Sequence, residues 1–211
     1  MTINLKEIQQ KTYRYAQQDG FTELFMGIFF VFYGGICYDI FSDFTTDFPA
    51  IPFIFFFAFF GAALEVIRRR VTYPRIGRAK IVEDIKPWYF VAVILPLALL
   101  PAIMYITLRF FSDVWNVTLL VKWSPALLGI VLVGLFHDRA DKTGNTLYYG
   151  FAVLSVVSGV VVSILDFSPV SKGIFIFFLP MGGVLFLFGL GMFIQFVRTY
   201  PAPEEDINVK S

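Results

Sequence analysis

Phe53-Ile54-Phe55-Phe56-Phe57-Ala58-Phe59-Phe60-Gly61-Ala62-Ala63-Leu64-Glu65-Val66-Ile67-Arg68-Arg69-Arg70 decides how the rest of the chain is read. A nearly unbroken apolar run that stops at three arginines fits a helix that crosses hydrocarbon and ends at a charged surface. Crossing ~30 Å of hydrocarbon takes about 20 largely apolar residues. Six segments meet that requirement, at about 21–41, 50–67, 88–108, 118–136, 147–165 and 174–197. The composition agrees: 57% of the 211 residues are hydrophobic, 16% are charged, and 27 are Phe. A soluble domain would have to bury six helices that are apolar all round, which a chain of this length cannot do.

Orientation follows from the basic residues. With the amino terminus in the cytoplasm, only Arg109, Lys122 and Lys172 of the 17 Lys and Arg fall on the outer side. The positive-inside rule then assigns both termini to the cytoplasm. A net charge of +1 hides this asymmetry. Residues 1–20 contain Lys6, Glu7, Lys11, Arg14 and Asp19 and no apolar h-region, so they are expected to be retained rather than cleaved. Leu5, Ile8, Thr12 and Tyr15 recur at helical spacing there, which predicts an amphipathic helix on the inner membrane surface, broken by Asp19-Gly20. The expected architecture is an all-α polytopic membrane bundle in the plasma (inner) membrane. It comprises an interfacial helix within 1–20, six transmembrane helices over 21–198 and a flexible cytoplasmic tail over 199–211.

Internal repetition is hinted at. Thr72-Tyr73-Pro74 follows the second span and Thr199-Tyr200-Pro201 the sixth, while Phe53–Phe56 matches Phe175–Phe178 and Gly27 matches Gly150. The offsets disagree, so a duplicated hairpin stays an open alternative to chance in a biased composition.

Few residues carry chemistry. The loop from Arg68 to Lys80 holds Arg68, Arg69, Arg70, Arg75, Arg78 and Lys80 with no acid. Each basic residue near an anionic leaflet contributes about 1 kcal/mol. The loop is therefore either a topological anchor or a contact for anionic headgroups or an acidic partner. Glu65 stands three and four residues before Arg68 and Arg69, the favourable order for a helical ion pair. Glu23, at the inner start of the first span, is favoured by the helix N-terminus. Lys122 must lie about 7 Å inside the fourth span. It either snorkels outward or pairs with Asp39, Asp113 or Asp166 in an outer polar pocket. Asp39, Asp43, Asp47, Asp113 and Asp166 gather near the outer loops, as cation-collecting acids or simply as tolerated polar residues.

Pro96 and Pro101 interrupt the third span, and Pro180 with Gly182-Gly183 the sixth, either as binding helices of transporters are interrupted or because Pro and Gly are common in membrane helices generally. Ser155, Gly159 and Ser163 form a small-residue stripe on the fifth span, as do Ala58 and Ala62 on the second, suited to helix packing or to a homo-oligomer. Asp141-Lys142-Thr143-Gly144 looks like a phosphorylated-aspartate motif, but the chain has no room for the domains that chemistry needs. His137 lacks a second metal ligand at the usual spacing. Cys37, the only cysteine, excludes an internal disulfide. No phosphate loop, zinc motif or nucleophile elbow is present, so no catalytic residue, metal, cofactor or nucleic-acid partner is expected.

The pattern Arg70-Val71-Thr72-Tyr73-Pro74-Arg75-Ile76-Gly77 resembles a cytoplasmic loop in a family of small polytopic membrane proteins of bacteria and archaea. That family pairs the loop with an N-terminal Tyr/Arg-rich helix, an Asp-Gly step and a glycine-containing first span. Here these are Tyr13-Arg14-Tyr15, Asp19-Gly20 and Glu23 through Gly27. Arg78 departs from the aromatic residue expected at its position. The resemblance covers roughly the first 80 residues and implies a prokaryotic membrane but no reaction. The leading expectation is a non-enzymatic scaffold, accessory or regulatory membrane protein that self-associates or serves a partner. A small transporter or channel is the alternative, and a lipid-acting membrane enzyme the third reading.

Overall fold

The computed structural model describes residues 5–42, 62–77, 117–167, 169 and 172–201. The expected span at 88–108 and the first part of 50–67 lie outside the described residues, as do Ala58, Asp43, Asp47, Arg78, Lys80, Pro96, Pro101, Arg109, Asp113 and the tail beyond Pro201. The side chain of Asp39 also lies outside them. Among the described residues all regular structure is helical: α1 (Leu5–Ala16), α2 (Phe21–Ser42), α3 (residues 62–71), α4 (Tyr73–Ile76), α5 (Val117–Thr143), α6 (Leu147–Ile164) and α7 (Lys172–Thr199). Four of them, α2, α5, α6 and α7, are long and apolar enough to cross a membrane. Their outward faces are greasy: Val153, Ile164 and Leu187 are 64%, 63% and 66% exposed. Such exposure suits lipid and not water.

Among the described residues two helix pairs make the main packing, and small residues set both. On α2 and the turn before it, glycines recur every seven residues at Gly20, Gly27 and Gly34; on α7, Gly182 and Gly189 do the same. A seven-residue repeat keeps one seam of a slightly underwound helix facing its partner. A Cβ on Gly27 would stand 2.6 Å from the Gly182 carbonyl oxygen, and one on Gly182 2.6 Å from that of Gly27. The two backbones thus touch, which gives the van der Waals contact that drives helix association where lipid removes the hydrophobic incentive. Alongside this seam Tyr33 and Phe30 pack edge-on against Phe178, with centroids 4.8 and 5.5 Å apart.

The second pair is α5 with α6. Ser155 donates to the Gly129 carbonyl at 3.0 Å, and a Cβ on Gly159 would meet the Pro125 carbonyl oxygen at 2.5 Å. Pro125 lies inside α5, where a proline frees helical backbone groups. Nearby groups are recaptured: Ser124 donates to the Val121 carbonyl at 2.7 Å, and the Ala126 N–H donates to Ser163 Oγ at 3.2 Å. The stripe of Ser155, Gly159 and Ser163 is therefore engaged within the chain.

Two sequence expectations change. Pro180 and Gly182-Gly183 do not break the last span, since α7 is one continuous helix of 28 residues. The glycine seam explains why: Gly182 serves close approach to α2 rather than unwinding. Helix α5 also runs to Thr143, past the expected end at 136. Its extension carries the i,i+4 pair Lys142–Asp138 at 2.9 Å and ends at Gly144, whose φ of 64° stops the helix. The Asp141–Gly144 motif is thus a helix terminus.

Candidate binding site at the arginine-rich end

The amino-terminal ends of α2 and α6, the carboxy-terminal ends of α3, α5 and α7, and helix α1 all meet at one end of the bundle. Helix α1 is fixed there by side-chain bonds to α5: Gln10 Nε2 donates to the Asp141 carbonyl at 2.8 Å, and Arg14 Nε to the Thr143 carbonyl at 2.9 Å. Arg139 in turn donates to Gln17 Oε1 and to the Tyr13 hydroxyl.

Between α1 and α2 the chain turns at Asp19-Gly20. Gly20 has φ 68°, and a Cβ on it would lie 2.4 Å from the Gly189 carbonyl oxygen, so both torsion and space demand glycine. Asp19 is wholly buried. Its carboxylate accepts four hydrogen bonds: Arg68 Nε to Oδ2 at 2.8 Å, Arg68 Nη2 to Oδ1 at 3.1 Å, Thr72 Oγ1 to Oδ2 at 2.9 Å and the Phe21 N–H to Oδ1 at 3.2 Å. Arg68 Nη2 also donates to Thr22 Oγ1 at 2.9 Å. A forked arginine on a carboxylate is among the stronger polar contacts available. Arg68 and Thr72 are one helical turn apart, so the end of α3 and the residue that follows it present both to the same acid. Pro74 then opens the single turn of α4, and Gly77 closes it at φ 78°. The Arg-x-x-x-Thr-Tyr-Pro stretch is a clamp on the Asp-Gly step.

Four residues on, Glu23 is treated differently. It is 1% exposed, and its Oε1 accepts the hydroxyl proton of Tyr148 at the start of α6. Its Oε2 is buried with no hydrogen-bond partner among the described residues, as is Gln18 Nε2. Both residues line a cavity of about 450 Å³, bounded also by Arg14, the Thr143–Thr146 turn, Tyr148 and the α7 residues Gln195, Phe196 and Tyr200. The volume falls in the range of small-molecule sites. In the surrounding network Arg68 is held by Asp19, and Arg139 donates to Gln17 and Tyr13.

The remaining expected site residues lie apart from this cavity. Glu65 pairs with Arg69 at 3.1 Å and accepts from the Tyr73 hydroxyl at 2.9 Å. Arg68, expected to share Glu65, turns to Asp19 instead, because a fully buried carboxylate gains more from a guanidinium than a partly exposed one does. Arg69 and Arg70 are exposed, and Arg75 is partly covered with Nη1 buried and without a partner among the described residues. At the opposite end Lys122 pairs with Asp166, whose side chain is 88% exposed, so that contact is a surface pair rather than an enclosed site. His137 is exposed and lies 5.8 Å from the Tyr149 ring. No cluster of metal-ligating side chains occurs among the described residues.

Sequence reasoning did not find the roles of Asp19, Gln18 and Tyr148. The usable signal at Asp19 was an acid at a membrane entry with no cation three or four residues away. Tyr148 reads from sequence as one more interfacial aromatic. No family model, no curated protein and no solved structure matches this chain.

Proposed function

We propose that this chain is a multi-pass plasma-membrane protein with six spans and both termini inside, acting as a non-enzymatic accessory or regulatory protein that holds a small polar ligand at its inner face. One observation carries the reading. Glu23, 1% exposed, lines a cavity of about 450 Å³ and carries a buried carboxyl oxygen without a hydrogen-bond partner among the described residues. A buried polar atom left without a partner is costly, so a ligand that supplies the donor accounts for it. The inner placement is supported by the gathering of Arg14, Arg68, Arg69, Arg70 and Arg139 at the cavity end.

Binding is favoured over catalysis because, among the described residues, the cavity lining holds no histidine, cysteine or paired carboxylates. It is favoured over transport because α7 is unbroken and the Gly27–Gly182 contact seals α2 against α7 deeper in the bundle. Purified protein in liposomes is expected to move no ion or solute across a broad panel, while in mild detergent at least one polar compound or lipid stabilises it against heat. Glu23-dependent flux would replace this reading with a transporter.

A further inference from the structure

Resting on that reading of the cavity, we propose that it takes a primary-ammonium zwitterion, with the ammonium on Glu23 and the acid group toward Arg14 and Gln18. The floor sets the first half. Glu23 Oε1 is occupied by the Tyr148 hydroxyl, and Oε2 awaits a donor. A neutral hydroxyl could donate one bond, but a cation also answers the charge of a carboxylate whose neighbouring arginines hold other partners. Lysine-like ammonium is compact, with three donors on one nitrogen, and suits a single buried carboxyl oxygen better than a planar guanidinium, whose fork matches two.

The wall sets the second half. Gln18 Nε2 is a buried donor without an acceptor among the described residues, and it lines the same cavity. The Arg14 guanidinium is on that wall too, positioned through its Nε bond of 2.9 Å to the Thr143 carbonyl. An amide donor and a guanidinium lining one cavity suit a carboxylate or phosphate. One cavity is therefore lined by an acceptor oxygen and an amide donor that both lack hydrogen-bond partners among the described residues, with a guanidinium in the same lining, which is the complement of a zwitterion. Phe196 and Tyr200 supply an apolar flank.

Two sources carry this chemistry: a lipid with an ethanolamine headgroup, and a free compound such as phosphoethanolamine or an α-amino acid. Native mass spectrometry of the full chain in mild detergent, with phosphatidylethanolamine or phosphatidylglycerol added, tests the first. Thermal-shift titration with phosphoethanolamine, ethanolamine, alanine and inorganic phosphate tests the second. The expected result is retention of the ethanolamine lipid over the glycerol lipid, or saturable stabilisation by at least one free zwitterion. In whichever arm responds, Glu23→Gln lowers affinity at least tenfold while the ligand-free protein melts close to wild type. Arg14→Gln abolishes the preference for phosphoethanolamine over ethanolamine, or for the ethanolamine lipid over an analogue that keeps the ammonium and lacks the phosphate. Binding confined to phosphate or the glycerol lipid, binding unchanged by Glu23→Gln, or no binding in either arm overturns the zwitterion assignment. Stabilisation by a polar compound of another class would overturn it while leaving the binding-protein reading intact.

Discussion

Asp19 and Glu23 lie four residues apart at the entrance of the first described span, both shut off from solvent, with opposite polar surroundings. Asp19 accepts four hydrogen bonds from Arg68, Thr72 and the Phe21 N–H. Glu23 accepts one from Tyr148, and its second oxygen is buried beside a cavity without a hydrogen-bond partner among the described residues. A saturated carboxylate holds elements together, whereas a half-saturated one is available to something else. The same contrast separates the two Thr-Tyr-Pro stretches. Thr72 is buried on Asp19, while Thr199 is exposed and bonds only to the Gln195 carbonyl of its own helix at 2.9 Å. Identical tripeptides thus acquire different roles from what faces them.

Substitutions test the contrast in order of expected effect. Asp19→Ala strands the Arg68 guanidinium and the Thr72 hydroxyl, and should destabilise the protein by about 3–5 kcal/mol. Unfolding by denaturing detergent from a mild one reads this, and a loss under ~1 kcal/mol would remove the clamp from the account. Thr72→Val keeps the shape and deletes one bond to a charged acceptor, for a loss of about 1.5–3 kcal/mol. Thr199→Val in the same assay should fall within ~0.5 kcal/mol of wild type, and equal losses at the two threonines would erase the distinction. Glu23→Gln preserves an acceptor for Tyr148, so stability should stay within about 1 kcal/mol of wild type while ligand retention falls. A loss as large as that of Asp19→Ala would make Glu23 a second structural acid. Lys122→Leu should change least, about 0–1 kcal/mol, because its partner Asp166 is exposed.

The apolar runs make the membrane helices legible, since length and hydropathy act locally along the chain. The positions of α2, α6 and α7 follow from them to within a turn. The end of α5 does not, because its last turns are polar and are held helical by contacts with α1 that no local pattern records. Glu65 with Arg69 was readable for the same local reason, being four residues apart. The Asp19–Arg68 pair spans 49 residues of sequence and could not be read from spacing. It does give a physical reason why an Asp-Gly step and an Arg-rich Thr-Tyr-Pro loop occur together: each completes the other. The cavity was least legible of all, because Glu23, Gln18 and Tyr148 are unremarkable singly and gain meaning only when three helix ends converge.

The glycine seam between α2 and α7 has a consequence for how the protein is made. These helices are far apart in the chain, so α2 enters the bilayer well before its partner exists. Until α7 arrives, the groove along Gly27 and Gly34 faces lipid, and Glu23 lacks the wall that Phe196 and Tyr200 provide. Closure of the groove and completion of the cavity wall therefore wait on α7, and a chain stalled ahead of it leaves the glycine groove unfilled.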